Sequence, residues 1–162
     1  MEIALVNVLF VCLGNICRSP SAEGVFSALA AREGLSGVIG VDSAGTAAYH
    51  AGEPPDRRAQ EAALRRGVDL SRQCARKAAS SDFAKFDYVM AMDRENHRNL
   101  QAICPAGQEH KLFMFLDFAP ESGHRDVPDP YYGGGQGFEM VLNLIEEASA
   151  GLLRHIREKH GL

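Results

Sequence analysis

The sequence predicts a single doubly wound α/β domain spanning residues 1–162. Three observations carry that reading. An almost unbroken apolar run lies near the N-terminus, as expected of a parallel strand buried on both faces. Four strand-like segments alternate with helical ones along the chain. Nothing divides the chain, which has no repeat, no low-complexity stretch and no linker between folded halves. Its 162 residues can bury one sizeable core.

The apolar run at residues 3–11 is the first strand. Ser19-Pro20 then offers a helix N-cap followed by proline at the first helical position. Ala22, Val25, Phe26 and Leu29 recur at helical spacing, and Gly34 stands where a C-terminal cap belongs. Residues 38–41 are the second strand, and Pro54-Pro55 opens a helix ending near Gly67. The third strand covers residues 88–92, after which Asp93 caps a helix that runs through Cys104 and stops at Pro105. Residues 111–116 are the fourth strand. Phe138, Val141, Leu142, Ile145, Ser149, Leu152, Leu153 and Ile156 share one face of a long closing helix. Between the last strand and that helix, residues 119–137 hold three of the seven prolines and five of the sixteen glycines. A loop of that length in a compact domain is expected to be functional or mobile.

Composition excludes several classes. Hydrophobic residues at 46% and charged residues at 23% are an ordinary globular balance, and a net charge of −4 leaves no footprint for nucleic acid. The arginines at Arg57–Arg58, Arg65–Arg66 and Arg72–Arg76 are expected on solvated helix faces. No apolar run approaches the ~20 residues that span a bilayer. Residues 3–11 lack the basic lead and small-residue cleavage site of a secretion signal, so no membrane partner is expected. Cys12, Cys17, Cys74 and Cys104 are too few and too scattered for a secreted disulfide framework, and are expected as reduced thiols in a cytoplasm.

The chemistry concentrates in Cys12-Leu13-Gly14-Asn15-Ile16-Cys17-Arg18-Ser19, between the first strand and the first helix. Ligands of open α/β sheets bind beyond the carboxyl ends of the strands. A helix N-terminus there presents unpaired N–H groups and partial positive charge, so an anion belongs in the loop. Gly14 is expected to let successive N–H groups turn inward. The same field favours the anionic form of a thiol at the loop's start, and the planar fork of Arg18 matches two phosphoryl oxygens. Ser19 can cap the helix or hydrogen-bond the thiolate. Cys-x5-Arg alone is a weak signal, and its setting after the clearest strand and before Ser-Pro strengthens it. Asp129-Pro130, by itself, is ordinary turn chemistry or an acid on a loop that can fold over the site.

The run 11–20 with Ala22-Glu23 resembles the signature loop of the low-molecular-weight protein tyrosine phosphatases. Asp42-Ser43-Ala44-Gly45-Thr46, Phe86-Asp87, Met92-Asp93 and Asp129-Pro130-Tyr131-Tyr132-Gly133 match the family's pattern in the same order. The resemblance covers essentially the whole chain. It implies a four-stranded parallel sheet flanked by helices on both faces, and hydrolysis of phosphotyrosine and small aryl phosphates without metal or cofactor. In the mechanism it implies, Cys12 attacks phosphorus, backbone N–H groups of residues 13–18 and Arg18 hold the phosphoryl oxygens, and Asp129 protonates the leaving oxygen. Leu13, Gly14, Asn15, Ile16, Cys17 and Ser19 then belong to the substrate loop, which Asn15 and Ser43 brace. Tyr131 and Tyr132 line the rim, with Tyr49 on the opposite wall. Cys17 either packs as a small hydrophobe or captures an oxidised Cys12 as a disulfide, and the resemblance favours the protective role.

Two positions depart from the family's pattern or discriminate within it. Gln73 stands where the family often has a histidine tied to the loop brace. Ile16 replaces the threonine of a phosphoarginine-specific relative, which favours phosphotyrosine. Expected partners are phosphotyrosine proteins, a tyrosine kinase among them, with phosphate or other oxyanions in the site. Rival readings are a thiol-dependent arsenate reductase, a phosphoarginine phosphatase and a silent phosphoprotein-binding module. The first needs a closely spaced cysteine pair, whereas Cys74 and Cys104 are thirty residues apart. His124-Arg125-Asp126 mimics a kinase triplet without its asparagine, no phosphate-binding Gly-x4-Gly-Lys-Ser/Thr loop exists, and the six histidines lack metal spacing and are expected at the surface.

Overall fold

The computed structural model describes residues 5–132 and 135–162, with the side chains of Tyr132 and Gly135 outside that description. Four strands, β1 (Val6–Cys12), β2 (Ile39–Gly45), β3 (Tyr88–Ala91) and β4 (Leu112–Met114), form one parallel sheet in the order β2-β1-β3-β4. Five helices accompany them: α1 (Arg18–Arg32), α2 (Arg57–Leu64), α3 (Asp82–Lys85), α4 (Arg94–Ile103) and α5 (Gly135–His160). No helix among the described residues is long and apolar enough to cross a membrane.

The apolar run becomes the central strand because both of its faces are covered. Side chains alternate across a strand. Val8 and Phe10 therefore join the larger core with Phe26 and Ala30 of α1 and Val141, Leu142 and Ile145 of α5. Leu9 and Val11 point the other way, to Phe83, Val89 and Leu100 beside α3 and α4. Phe10 sits edge-on between Phe26 and Phe115, with ring centroids 5.6 and 5.0 Å away. Helices on both faces of a parallel sheet follow directly.

Several boundaries differ from the sequence reading. Strand β2 runs on to Gly45, because Ser43, Ala44 and Gly45 pair with Phe10, Val11 and Cys12. Strand β4 is shorter than residues 111–116, since Phe115–Phe118 wind into a 3₁₀ turn. Asp56, rather than the proline pair, starts α2 by accepting a bond from Arg58 N at 2.8 Å. Asp93 caps α4 as expected, accepting from Asn96 N at 2.7 Å. The four-residue α3 was not expected at all. Within the 119–137 segment the described residues form 3₁₀ turns at Pro120–Ser122 and Pro130–Tyr132, and α5 begins earlier than Phe138.

Arginine placement departs further from expectation. Arg57, with a side chain 91% exposed, is solvated, but Arg66 pairs with Glu139 and Glu146 on α5, and Arg76 bridges Asp42 and Asp82. These are long-range ties between elements.

Candidate active site

Loop 12–18 leaves β1 at the sheet's carboxyl edge and enters α1. Cys12 O and Leu13 O accept from Thr46 N and Ala47 N beyond β2, and Ile16 O accepts from Asp56 N at 2.7 Å. Backbone bonds from two neighbouring segments thus hold the loop's outer side.

Its curl depends on Asn15, which adopts φ 57°, the one left-handed non-glycine among the described residues. The sequence reading gave the turning role to Gly14, whose φ is not positive. A Cβ at Gly14 would lie 3.0 Å from His50 Cδ2, so a side chain there would have to displace that ring by a few tenths of an ångström. Every polar atom of the Asn15 side chain is used. Nδ2 donates to Ser19 Oγ (2.8 Å) and Ser43 Oγ (3.0 Å), and Oδ1 accepts from Arg76 N (3.0 Å). Ser43 in turn donates to Glu23 Oε1 at 2.7 Å. Burial, aided by Asp42 and opposed by the Ser43 hydroxyl and Arg76, pushes the Glu23 carboxyl up to about 7.

Cys12 is buried beneath this brace. Its Sγ lies 3.0 Å from Ser19 Oγ and accepts from Asn15 N at 3.3 Å. Of the two roles open to Ser19, the structure has the sulfur contact, and α1 starts without a side-chain cap. Gln73, at the departure from the family pattern, donates to Pro20 O at 3.0 Å and does not join Asn15.

Arg18 is only 3% exposed. Its Nη1 donates to Asp93 Oδ2 (2.6 Å) and Val127 O (3.0 Å), which uses both hydrogens of that nitrogen. Among the described residues Nε–H and Nη2 make no hydrogen bond, and Nη2 faces the Asp129 carboxylate 3.7 Å away. Burial works against the guanidinium's charge, but Cys12, Asp93 and Asp129 outweigh it and keep the group firmly protonated. Asp93, read from sequence only as a helix cap, thus also anchors the arginine.

Asp129 approaches from the far side. Its Oδ2 stands 3.7 Å from Arg18 Nη2, and its Oδ1 accepts from Tyr131 N at 3.0 Å. Between Cys12, Arg18 and Asp129 lies a pocket of about 110 Å³ whose walls include Leu13, Gly14, Ile16 and Cys17. Tyr131 and the exposed Tyr49 stand at its mouth. Asn15, Ser19 and Ser43 do not line it and lie behind it, and the Tyr132 side chain falls outside the described residues. His50, expected as an ordinary surface histidine, lines the pocket with Nδ1 held by Glu53. No spacing signal marked it. Burial, followed by the negative charges of Asp56, Cys12 and Asp129, pushes the Cys17 thiol well above its ordinary range. It stays protonated.

A buried thiol that accepts from Asn15 N, a buried arginine and a carboxylate across the pocket suit transfer of a phosphoryl group to sulfur. The comparisons with known proteins agree. YfkJ of Bacillus subtilis, a low molecular weight protein-tyrosine-phosphatase, is 42% identical over 158 residues, 98% of this chain and 100% of that one. Its crystal structure matches with a TM-score of 0.91, covering 98% of this chain and 99% of that one. A low molecular weight phosphotyrosine protein phosphatase of Schizosaccharomyces pombe is 45% identical over 152 residues, 93% of this chain and 97% of its own. The protein tyrosine phosphatase of Entamoeba histolytica, crystallised with Hepes in its active site, has a TM-score of 0.91 at 40% identity, covering 96% of this chain and 98% of that one. The family model described as low molecular weight phosphotyrosine protein phosphatase matches residues 7–161, a span that takes in every wall of the pocket, and this chain belongs to that family.

Proposed function

We propose that Cys12, Arg18 and Asp129 carry out the family's reaction in this chain, the hydrolysis of phosphotyrosine through a cysteinyl-phosphate intermediate. The observation that carries the assignment is that all three side chains face one pocket of about 110 Å³. The loop's N–H groups and the free donors of Arg18 take the phosphoryl oxygens and stabilise the charge that builds on them. The Cys12 thiolate attacks phosphorus in line as the phosphorus–oxygen bond to the ring breaks. Asp129 Oδ2, 3.7 Å from Arg18 Nη2, delivers a proton to the departing phenolate oxygen. Asp129 then takes a proton from the water that hydrolyses phosphocysteine. Ile16 gives the pocket an apolar wall, and Tyr49 and Tyr131 offer faces to an aryl group. An apolar side chain at position 16 supports the phosphotyrosine reading over phosphoarginine.

Residues 1–162 act as one phosphatase domain in this reading, on phosphotyrosine proteins with a tyrosine kinase among them. A cytoplasmic setting suits the four free thiols. Turnover of phosphotyrosine peptides should persist in chelator, be competed by phosphate or vanadate, and vanish in Cys12→Ser. Turnover that survives in Cys12→Ser overturns the assignment. Cys17 protects the nucleophile: the Cys12 sulfenic acid formed by peroxide condenses with the Cys17 thiol, releasing water and leaving a disulfide. After peroxide, wild type should regain activity on addition of a thiol reductant and show the Cys12–Cys17 disulfide by peptide mass. Recovery that is equal in Cys17→Ser removes that role.

A further inference from the structure

The acid loop's tie to the phosphate loop runs through two residues that have had no role in the chemistry so far. Asp56 N donates to Ile16 O of the phosphate loop at 2.7 Å. Its carboxylate receives the Arg58 fork, Nε to Oδ1 at 3.2 Å and Nη2 to Oδ2 at 3.1 Å. The same Nη2 donates to Tyr131 O at 3.0 Å. Tyr131 N completes the chain by donating to Asp129 Oδ1. The guanidinium also lies over the rings of Phe138 and Tyr131, 5.0 and 5.4 Å from their centroids.

We infer that Arg58 is a positioning residue for Asp129, strapping the 130–132 turn to the phosphate loop through Asp56. An exposed ion pair by itself has little energetic weight, and the Arg58 side chain is 46% exposed. The geometry has consequences nonetheless. A planar fork between a fixed carboxylate and a backbone carbonyl sets distance and direction together, which an ammonium cannot do. Holding Tyr131 O anchors the residue whose N–H, in the preceding peptide group, donates to Asp129, so Oδ1 is occupied and Oδ2 faces Arg18. Asp56 itself is held, capping α2 with Oδ1. Small misplacements of a catalytic group are costly, on the order of 10²-fold for about 1 Å.

This inference rests on Asp129 being the general acid, and the test separates the two. kcat/KM is measured over a series of aryl phosphates and plotted against leaving-group pKa, since kcat/KM covers steps through formation of the cysteinyl phosphate. Arg58→Ala should lose about tenfold on phenyl phosphate and much less on the nitrophenyl ester, steepening the plot. Arg58→Lys keeps the charge and the stem but not the fork, and should steepen it too; it serves if the alanine variant fails to fold. In an Asp129→Asn background, Arg58→Ala should add no further slope. An equal loss across the series, or a slope change that persists without Asp129, overturns the strap. If Asp129→Asn alone leaves the slope unchanged, the general-acid assignment itself fails, whatever Arg58 does.

Discussion

The two halves of the site are held in different ways. The phosphate loop is clamped inside the protein. Asn15 is 3% exposed and Ser19 fully buried, and the loop's partners come from β2, the segment around Arg76 and the start of α2. The acid loop is hung at its ends. Val127 N reaches Met92 O and Asp126 pairs with Arg94 on one side, while Arg58 holds Tyr131 on the other. Between those points Asp129 has a side chain 36% exposed. A cradle for a tetrahedral anion must not change shape between substrate and transition state, so its donors are preorganised by buried bonds. In the proposed reaction Asp129 first gives and then takes a proton, which suits a side chain at the edge of water with room to adjust.

That contrast breaks most visibly at Asn15. Asn15→Ala puts alanine in the left-handed region, about 1–2 kcal/mol, and strands buried partners, about 1–3 kcal/mol more. A stability loss of roughly 2–4 kcal/mol by denaturant titration and a fall in kcat/KM on the order of 10² should come together. An Asn15→Ala protein with normal turnover would mean the cradle does not depend on its brace.

Asp129→Asn should separate what Asn15→Ala joins. Loss of a general acid costs about 10²-fold or more on phosphotyrosine, less on a nitrophenyl ester that leaves without help. Stability should stay within about 0.5 kcal/mol, as for an exposed substitution. A large fall in Tm would make this loop as structural as its counterpart.

The smallest expected effect sharpens the comparison at its buried end. The Glu23 carboxyl, raised from 4.5 to about 7 chiefly by burial, binds its proton more tightly folded than unfolded. Folding stability therefore falls as pH rises from about 4.5 to about 7, and is level above that. Glu23→Gln keeps an acceptor for Ser43 and removes the fall. It should stabilise by about 1–2 kcal/mol at pH 8, discounted because the group is partly exposed, and by little at pH 4. Denaturation midpoints for the two proteins at those pH values decide it, and equal gains at both would detach Glu23 from the pH dependence.

The two halves were also unequally legible in the sequence. Residues 12–19 announce themselves because strand, loop chemistry and helix start are local, and the unbroken apolar run of β1 tells that both its faces are covered, while which side chains meet α1 and which meet α4 comes only with the fold. The acid loop offers only Asp-Pro, and its role came through resemblance, since folding over a site is not encoded in neighbouring residues. Long-range ties escaped altogether. Arg58, Arg66 and Arg76 look like solvated charges until the fold brings Tyr131, Glu146 and Asp82 to them. Helix α3 is too short for periodicity, and exists because Asp82 accepts from Ala79 N and pairs with Arg76. His50 was hidden for the same reason, being next to Gly14 in space alone.

The closing helix sets a timetable. Val141, Leu142, Ile145 and Leu152 of α5 complete the core behind α1, and Phe138 is the plate beneath Arg58. Cys12 is therefore synthesised well before the helix that completes the core around it. We predict that chains stalled before Phe138 show no turnover of aryl phosphate, and that activity appears only once α5 has left the exit tunnel. A nascent chain of this kind passes through synthesis with its nucleophile present and its chemistry silent.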